Sequence, residues 1–182
     1  MTKSVILNET DVSQCIHEIA RQIVLKHGSC DGVVLVGIRT GGAFLAARLQ
    51  EAMARLNVPA PPLGILDITL YRDDWTRIGS APVVGSTDLP FSVDDKLVIL
   101  VDDVLFTGRT VRAAMDALID FGRPRRIELA ILADRGADNR ELPIAPNYVG
   151  GTWNTSPEQT INVYLKEEGY EDHVAIEEKK AL

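Results

Sequence analysis

The amino-acid sequence predicts an α/β fold with a central, mainly parallel sheet flanked by helices. Two continuous apolar runs, Gly32–Gly37 and Leu97–Val101, have the length and composition of strands buried on both faces of a sheet. A helical pattern follows each run, and the strand-then-helix order recurs along the chain. The 182 residues are expected to form one domain.

Composition excludes several classes of protein. The net charge of −7 argues against a protein that coats nucleic acid by bulk electrostatics, although acids concentrated after Glu158 leave room for a local basic face. No apolar run approaches the ~20 residues of a membrane span, and the N-terminus lacks a signal peptide's apolar core. We therefore expect a cytoplasmic protein with no membrane partner. Cys15 and Cys30 lack metal-ligand spacing and are expected to be buried thiols.

The elements before the central motif follow in order. An apolar stripe at helical spacing predicts a helix over Asp11–His27, ended by Gly28. After the strand at Gly32–Gly37, a second helix is predicted from residue 43 to about residue 57. Leu63–Leu70 is the predicted third strand, and it leads into a polar stretch of low periodicity.

The stretch Leu97–Phe121 carries the strongest chemical signal in the chain. Asp102 and Asp103 come directly after its apolar run, where an open α/β sheet presents its ligand crevice. Thr107–Thr110 follows and opens a helical pattern that Gly122 stops. Acids, hydroxyls and a glycine thus lie together at a predicted strand–helix junction.

These residue types suit a phosphorylated sugar. The hydroxyls of Thr107 and Thr110 and the N–H groups around Gly108 can donate to phosphate oxygens at the positive end of the helix. Asp102 and Asp103 can accept from two vicinal sugar hydroxyls, or hold a metal that the sugar also binds. Acceptors for sugar hydroxyls together with donors for a phosphate fit a ribose 5-phosphate.

The same residues are also compatible with different chemistry. Neither a Walker loop nor a dinucleotide fingerprint is present. An aspartyl phosphotransferase or a receiver domain would also place Asp at a strand end, and an ordinary βα unit could carry solvated acids in its loop. Two acids and two threonines around one glycine in the nine positions Asp102–Thr110 count against the ordinary loop.

At this point the chain resembles a known family. Val98–Val111, VILVDDVLFTGRTV, resembles the phosphoribosyl pyrophosphate (PRPP) motif of type I phosphoribosyltransferases. Leu66–Asp74, LDITLYRDD, is similar to the subfamily of pyrimidine operon attenuation regulators that are also uracil phosphoribosyltransferases. The likeness runs from about Val5 to Ile176. It implies the type I phosphoribosyltransferase fold with a small hood, from the N-terminal segment and roughly residues 136–178, and a flexible catalytic loop.

The resemblance also implies which residues bind. Asp102 and Asp103 would be catalytic and would hold Mg²⁺, mostly through PRPP. The site for PRPP and uridine monophosphate (UMP) would comprise Val101, Asp102, Asp103, Val104, Leu105, Phe106, Thr107, Gly108, Arg109 and Thr110. The pyrophosphate loop, where an unusual cis peptide often turns the backbone amides towards the diphosphate, would comprise Ile38, Arg39, Thr40, Gly41 and Gly42. Many relatives have a basic residue at the position of Gly41, which leaves Arg39 as this loop's only cation.

The polar stretch at about residues 71–90 would be the catalytic loop that folds over PRPP. A loop of this length in a compact domain is more often functional than idle. Arg72 and Arg77 are the catalytic candidates for neutralising the departing diphosphate. Alternatively, Arg72 could pair with Asp73 or Asp74 on the surface.

The base site is expected at the end of a further strand, Ile127–Ala133. Asp134 and Arg135 follow it at the same edge of the sheet, and they are the candidates for the rim of the base site.

Two roles follow from the resemblance. The first is an enzyme that converts uracil and PRPP to UMP and diphosphate. The second is a regulator that binds pyrimidine operon leader RNA in response to uridine nucleotides, and its candidate contacts are His17, Arg21, Lys26, Arg123, Arg125 and Arg126. A salvage enzyme without RNA binding, or a phosphoribosyltransferase for another base, remains an alternative. A homo-oligomer, either a dimer or a tetramer, is expected.

Overall fold

A five-stranded parallel sheet forms the centre of the computed structural model, which describes residues 3–73 and 85–179. All five strands run in the same direction, so every neighbouring pair in this sheet is parallel. In spatial order the strands are β3 (Leu63–Leu66), β2 (Val33–Ile38), β4 (Leu97–Leu105), β5 (Arg126–Asp134) and β6 (Tyr148–Thr152). The predicted parallel sheet is confirmed.

Three helices cover the two faces of the sheet: α1 (Glu9–His27), α2 (Gly41–Ala54) and α3 (Arg109–Ile119). α1 and α2 pack on one face against Ile99 and Val101, and α3 packs on the other face against Val98 and Leu100. Successive side chains of β4 therefore enter opposite cores, as expected for a strand buried on both sides.

A separate antiparallel sheet contains β1 (Lys3–Leu7), β8 (His173–Glu178) and β7 (Gln159–Tyr164), in that order. It joins the N-terminal segment to the end of the chain. The range 136–178 predicted for the hood also contains β6, which belongs to the main sheet, and the bounds of the hood stay a prediction. In the described part of the chain, no helix has the length and apolar character to span a bilayer.

Several strands and helices begin or end at residues other than the predicted ones. β4 runs on to Leu105, so Asp102 and Asp103 lie within the strand and not after it. β3 ends at Leu66 and not at residue 70, because Thr69–Tyr71 forms a 3₁₀ turn. The second helix starts at Gly41, two residues before the predicted start. Hydrophobic periodicity predicts the central residues of each helix and strand. The first and last residues depend on strand pairing and helix capping.

Candidate active site

The carboxyl ends of β2, β4 and β5 meet at one edge of the sheet. Gly37 of β2 is in register with Val101 of β4, and Leu105 of β4 is in register with Asp134 of β5. The chain turns from β2 outward to β3 on one side and from β4 outward to β5 and β6 on the other. The gap between β2 and β4 is thus a topological switch point, the usual ligand crevice of an open α/β sheet.

Asp102 and Asp103 form an acidic pair in this crevice. Asp102 is 6% exposed, and its Oδ1 accepts a hydrogen bond from the Asp103 N–H at 3.0 Å. Burial, and then the charge of Asp103, raise the pKa of Asp102 well above its usual range, while that N–H and Arg72 act in the opposite direction. Burial also raises the pKa of Asp103, against the N–H of Val104 that donates to its carboxylate. Without a ligand, the two carboxylates do not readily carry two negative charges. Hydroxyl donors or a cation would stabilise the doubly charged form.

Thr107–Thr110 forms the turn that leads into α3, as predicted, with Arg109 as the first helical residue. Gly108 caps the helix with a φ of +91°, a left-handed conformation that glycine adopts without strain. The N–H of Arg109 donates to the Thr107 hydroxyl at 3.4 Å, and the helical bonds begin with the N–H of Arg112 donating to the Gly108 carbonyl. First-turn N–H groups without helical partners and two threonine hydroxyls can therefore bind a phosphate.

The Ile38–Gly42 loop lies beside the acidic pair. The Arg39–Thr40 peptide bond is cis, which is the feature implied for a pyrophosphate loop. A Cβ on Gly42 would lie 2.3 Å from the Val101 carbonyl oxygen, and one on Gly41 would lie 2.5 Å from a carboxylate oxygen of Asp103. Gly42 is required for this close packing because a Cβ there would meet the β4 backbone, whereas a side chain at position 41 would require the Asp103 carboxylate to shift.

Asp67 lies in the Leu66–Asp74 motif but received no predicted role, and in the structure it supports Arg39, the cation of that loop. It follows β3, and its carboxylate accepts from the N–H groups of Thr69 at 2.7 Å and Gly85 at 2.5 Å. Burial raises the pKa of Asp67, but these hydrogen bonds and the charge of Arg39 outweigh it and lower the pKa. Arg39 itself donates from Nη1 to the Ser86 carbonyl at 2.9 Å. In the sequence Asp67 lies inside the predicted strand Leu63–Leu70, and its only distinguishing sign there is an acid in an otherwise mostly apolar run.

Of the two predicted catalytic arginines, Arg72 lies near the acidic pair. Its half-buried side chain carries a charge that lowers the pKa of Asp102. Asp73 binds Arg109 at 2.7 Å and Arg112 at 3.3 Å. Arg77 lies outside the described residues, as do residues 74–84 of the predicted catalytic loop.

Asp134 and Arg135, the predicted rim of the base site, are both buried, with 7% and 3% exposure. Arg135 donates to the Thr155 hydroxyl at 2.7 Å, and its guanidinium stacks on the Phe106 ring at 3.7 Å. Burial lowers the pKa of Arg135. Asp134 pairs with Arg140, which the sequence patterns did not indicate. Both candidates thus support the edge of the crevice from inside the protein.

The predicted RNA contacts have different environments. Arg21 forms an ion pair with Glu18 at 2.7 Å, and Lys26 and Arg126 both bind the buried Glu128, at 2.8 and 3.0 Å. His17 is exposed on α1 and lines a groove of about 660 Å³ between α1 and α2.

Arg123 and Arg125 are exposed before β5 and form no ion pair with a described residue. They lie at the opposite edge of the sheet from the crevice, because they precede a strand whose carboxyl end borders it. Of the predicted contacts, these two present the least compensated positive charge.

The acidic pair fits a Mg²⁺ that is held mainly by its ligand. Carboxylate oxygens are the donors that Mg²⁺ prefers, and burial of the pair favours a neutralising cation. Within residues 3–73 and 85–179, however, no group of three or more His, Cys, Asp or Glu side chains converges on a metal position. Asp102 and Asp103 would therefore share the ion with substrate oxygens and water.

Comparison with known proteins gives the family. The model of the phosphoribosyl transferase domain matches residues 4–168. The chain belongs to the phosphoribosyltransferase family. Within this family it is 49% identical to the bifunctional protein PyrR of Syntrophobacter fumaroxidans, over 96% of this chain and 92% of that one. It is 47% identical to the bifunctional protein PyrR of Thermus aquaticus, over 98% and 97% of the two chains. The chain is thus a phosphoribosyltransferase of the bifunctional PyrR type.

The fold of this phosphoribosyltransferase is also found in solved structures. A hypoxanthine phosphoribosyl transferase of Trypanosoma cruzi superposes with a TM-score of 0.66, over 84% of this chain and 79% of that one. The two sequences are 20% identical, so this likeness shows the fold alone.

Proposed function

We propose that the chain is a bifunctional pyrimidine regulator: it transfers the phosphoribosyl group of PRPP to uracil, giving UMP and diphosphate, and it binds pyrimidine operon leader RNA in response to uridine nucleotides. One observation carries the enzymatic role. The acidic pair Asp102–Asp103 lies directly before the phosphate-binding turn Thr107–Thr110 and beside the cis-peptide loop Ile38–Gly42. The near-full-length PyrR relatives support the regulatory role.

The transfer reaction needs control of charge more than it needs a nucleophile. As the bond from ribose C1 to diphosphate breaks, the ribose gains oxocarbenium character and the diphosphate gains charge. Asp102 and Asp103 accept hydrogen bonds from the ribose hydroxyls and stabilise the positive ring. Thr107 and Thr110 bind the 5-phosphate, and this remote binding energy positions C1.

The leaving diphosphate would be bound by the Ile38–Gly42 loop, which lies beside the acidic pair. The backbone of the Ile38–Gly42 loop and the charges of Arg39 and Arg72 stabilise the diphosphate as it departs. Asp102 and Asp103 would hold Mg²⁺ together with PRPP, and the ion would supply further charge neutralisation. We assign no general base.

The enzymatic role is tested with radiolabelled uracil, PRPP and magnesium. We expect labelled UMP from the wild type, a large loss of turnover in Asp103→Asn, and little change in Asp116→Asn, whose exposed carboxylate lies on α3. Absence of labelled UMP with the wild type would refute the enzymatic role.

The regulatory role is tested by gel shift on the leader RNA of the host's own pyrimidine operon. Binding should strengthen with UMP and weaken steeply with salt. A flat response in both would leave the second candidate, a uracil salvage enzyme without RNA binding. Arg21 is paired with Glu18, and Lys26 and Arg126 share the one carboxylate of Glu128, so the reduced positive charge of these three candidates favours that alternative.

Both roles place the protein in the cytoplasm, where PRPP and nascent transcripts occur together. We also propose that it acts as a homo-oligomer, either a dimer or a tetramer.

A further inference from the structure

Arg140 donates hydrogen bonds to backbone carbonyls of two chain segments, one of which leads into the phosphate-binding turn Thr107–Thr110. Its Nη1 donates to the Phe106 carbonyl at 2.6 Å and lies 3.3 Å from the Gly136 carbonyl. Its Nε donates to the Ile144 carbonyl at 3.2 Å. One guanidinium therefore connects the end of β4 to the segment that follows β5.

The charge of Arg140 is buried and paired. Its side chain is 11% exposed, and Nη2 donates to Oδ1 of Asp134, whose side chain is 10% exposed. The same oxygen of Asp134 accepts from the Gly136 N–H at 2.9 Å. A buried guanidinium with its donors directed at fixed acceptors has one arrangement available, which suits it to hold a backbone in place.

The position of the Phe106 carbonyl determines the direction of a phosphate-binding donor. This carbonyl and the N–H of Thr107 belong to one trans peptide unit, so they point in opposite directions. Holding the carbonyl with Arg140 turns the Thr107 N–H away from Arg140. The next peptide is held in the same manner, because the N–H of Glu141 donates to the Thr107 carbonyl at 3.0 Å. That bond sets the direction of the Gly108 N–H.

We propose that Arg140 is a positioning residue for the 5-phosphate site. Through the Phe106 carbonyl, with Asp134 as its counter-charge, it orients the N–H groups that meet the phosphate. This inference rests on the proposed phosphoribosyl transfer. It assigns to Arg140 a role in binding the phosphate end of PRPP and UMP, and none in binding the diphosphate.

The test compares two anionic probes on the whole chain. Calorimetry with ribose 5-phosphate reports on the phosphate-binding turn, and Mg²⁺-diphosphate reports on the Ile38–Gly42 loop. The variants are Arg140→Lys, which keeps the charge but lacks the fork of donors, and Arg140→Met. Arg55→Met is the matched control, because Arg55 is 76% exposed and pairs only weakly with Glu51, at 3.6 Å.

For Arg140→Met we expect the dissociation constant for ribose 5-phosphate to rise about 10–100-fold, the usual effect of displacing a supporting contact. The constant for Mg²⁺-diphosphate should change less than about threefold, within the scatter of a surface substitution. Arg140→Lys should fall between the wild type and Arg140→Met, and it decides the matter if Arg140→Met does not fold. KM for PRPP should rise in the variants more than kcat falls.

An equal loss for both probes would assign Arg140 a general structural role and overturn the proposal, as would unchanged ribose 5-phosphate binding in a folded variant. Failure of the proposed function gives a different result, since the wild type would then bind neither probe.

Discussion

Replacing Asp102 by Asn should stabilise the free protein while it impairs the reaction. Asp102 is 6% exposed, and both burial and the charge of Asp103 raise its pKa well above its usual range. Asparagine has the same shape, and its Oδ1 can still accept from the Asp103 N–H, which now lies at 3.0 Å. The substitution therefore removes an unfavourable buried charge without leaving a cavity.

The sign follows from proton binding. Between the usual aspartate pKa of 3.8 and the raised value, the folded chain holds a proton that the unfolded chain has released, so stability falls as pH rises through that window. Each unit by which the pKa is raised costs about 1.4 kcal/mol above the window. Because 1 kcal/mol moves the Tm of a chain of this length by about 2–4 °C, Asp102→Asn should melt several degrees higher near neutral pH.

Thermal unfolding followed by circular dichroism between about pH 4 and pH 7 measures this difference. The wild type and Asp102→Asn should converge near the acidic end and separate as pH rises. Asp116→Asn, whose carboxylate is 57% exposed, should follow the wild type throughout. A lower Tm for Asp102→Asn at neutral pH, or a difference that does not vary with pH, would refute the reasoning.

Three further predictions concern other parts of the chain. Glu128→Gln should lower the free energy of unfolding by about 1.5–3 kcal/mol in urea titrations. The reason is that charge-assisted hydrogen bonds outweigh burial and hold the Glu128 pKa at about 2. This loss of stability should shrink as pH falls below 4.5, where the carboxylate of the unfolded chain becomes protonated. Thr107→Val should weaken UMP binding in calorimetry by about 10–100-fold, the value of one hydrogen bond to a charged group, and leave diphosphate binding unchanged. Arg125→Ala should lower leader-RNA affinity in gel shifts and reduce the salt slope by about one, whereas Arg21→Ala should do less because Glu18 neutralises Arg21. Equal effects of the two arginine substitutions would contradict the surface assignment.

The sequence predicted the parts of the site that depend on local order. A buried strand, two acids and a threonine–glycine turn lie within one stretch, so the position of Asp102, Asp103 and Thr107–Thr110 followed from hydrophobic pattern and residue type. The resemblance implied a cis peptide within the Ile38–Gly42 loop, which no propensity would indicate, and the structure has it at Arg39–Thr40.

The sequence could not predict contacts that join distant segments. Glu128 binds Lys26 across 102 positions and Tyr148 across 20, and an isolated Glu in a strand pattern reads as a residue on the solvent side. Arg140 has the same character, since its acceptors are backbone carbonyls of β4 and the residue after it, which lie 35 and 34 positions earlier. Carbonyl acceptors leave no mark in a sequence, so such partners emerge only once the fold is known.

The structural acid Glu128 and the active-site acid Asp102 have pKa values shifted in opposite directions. Glu128 is buried among cations and hydroxyls, which lower its pKa and make its charge part of the fold. Asp102 is buried beside a like charge, and the charge of Arg72 only partly offsets the resulting rise in its pKa, so ionisation of Asp102 destabilises the free protein. A fold selected for stability alone would not keep that arrangement. The pair becomes favourable when hydroxyl donors or a cation enter the crevice, and ligand binding should therefore lower the pKa of Asp102 and release a proton.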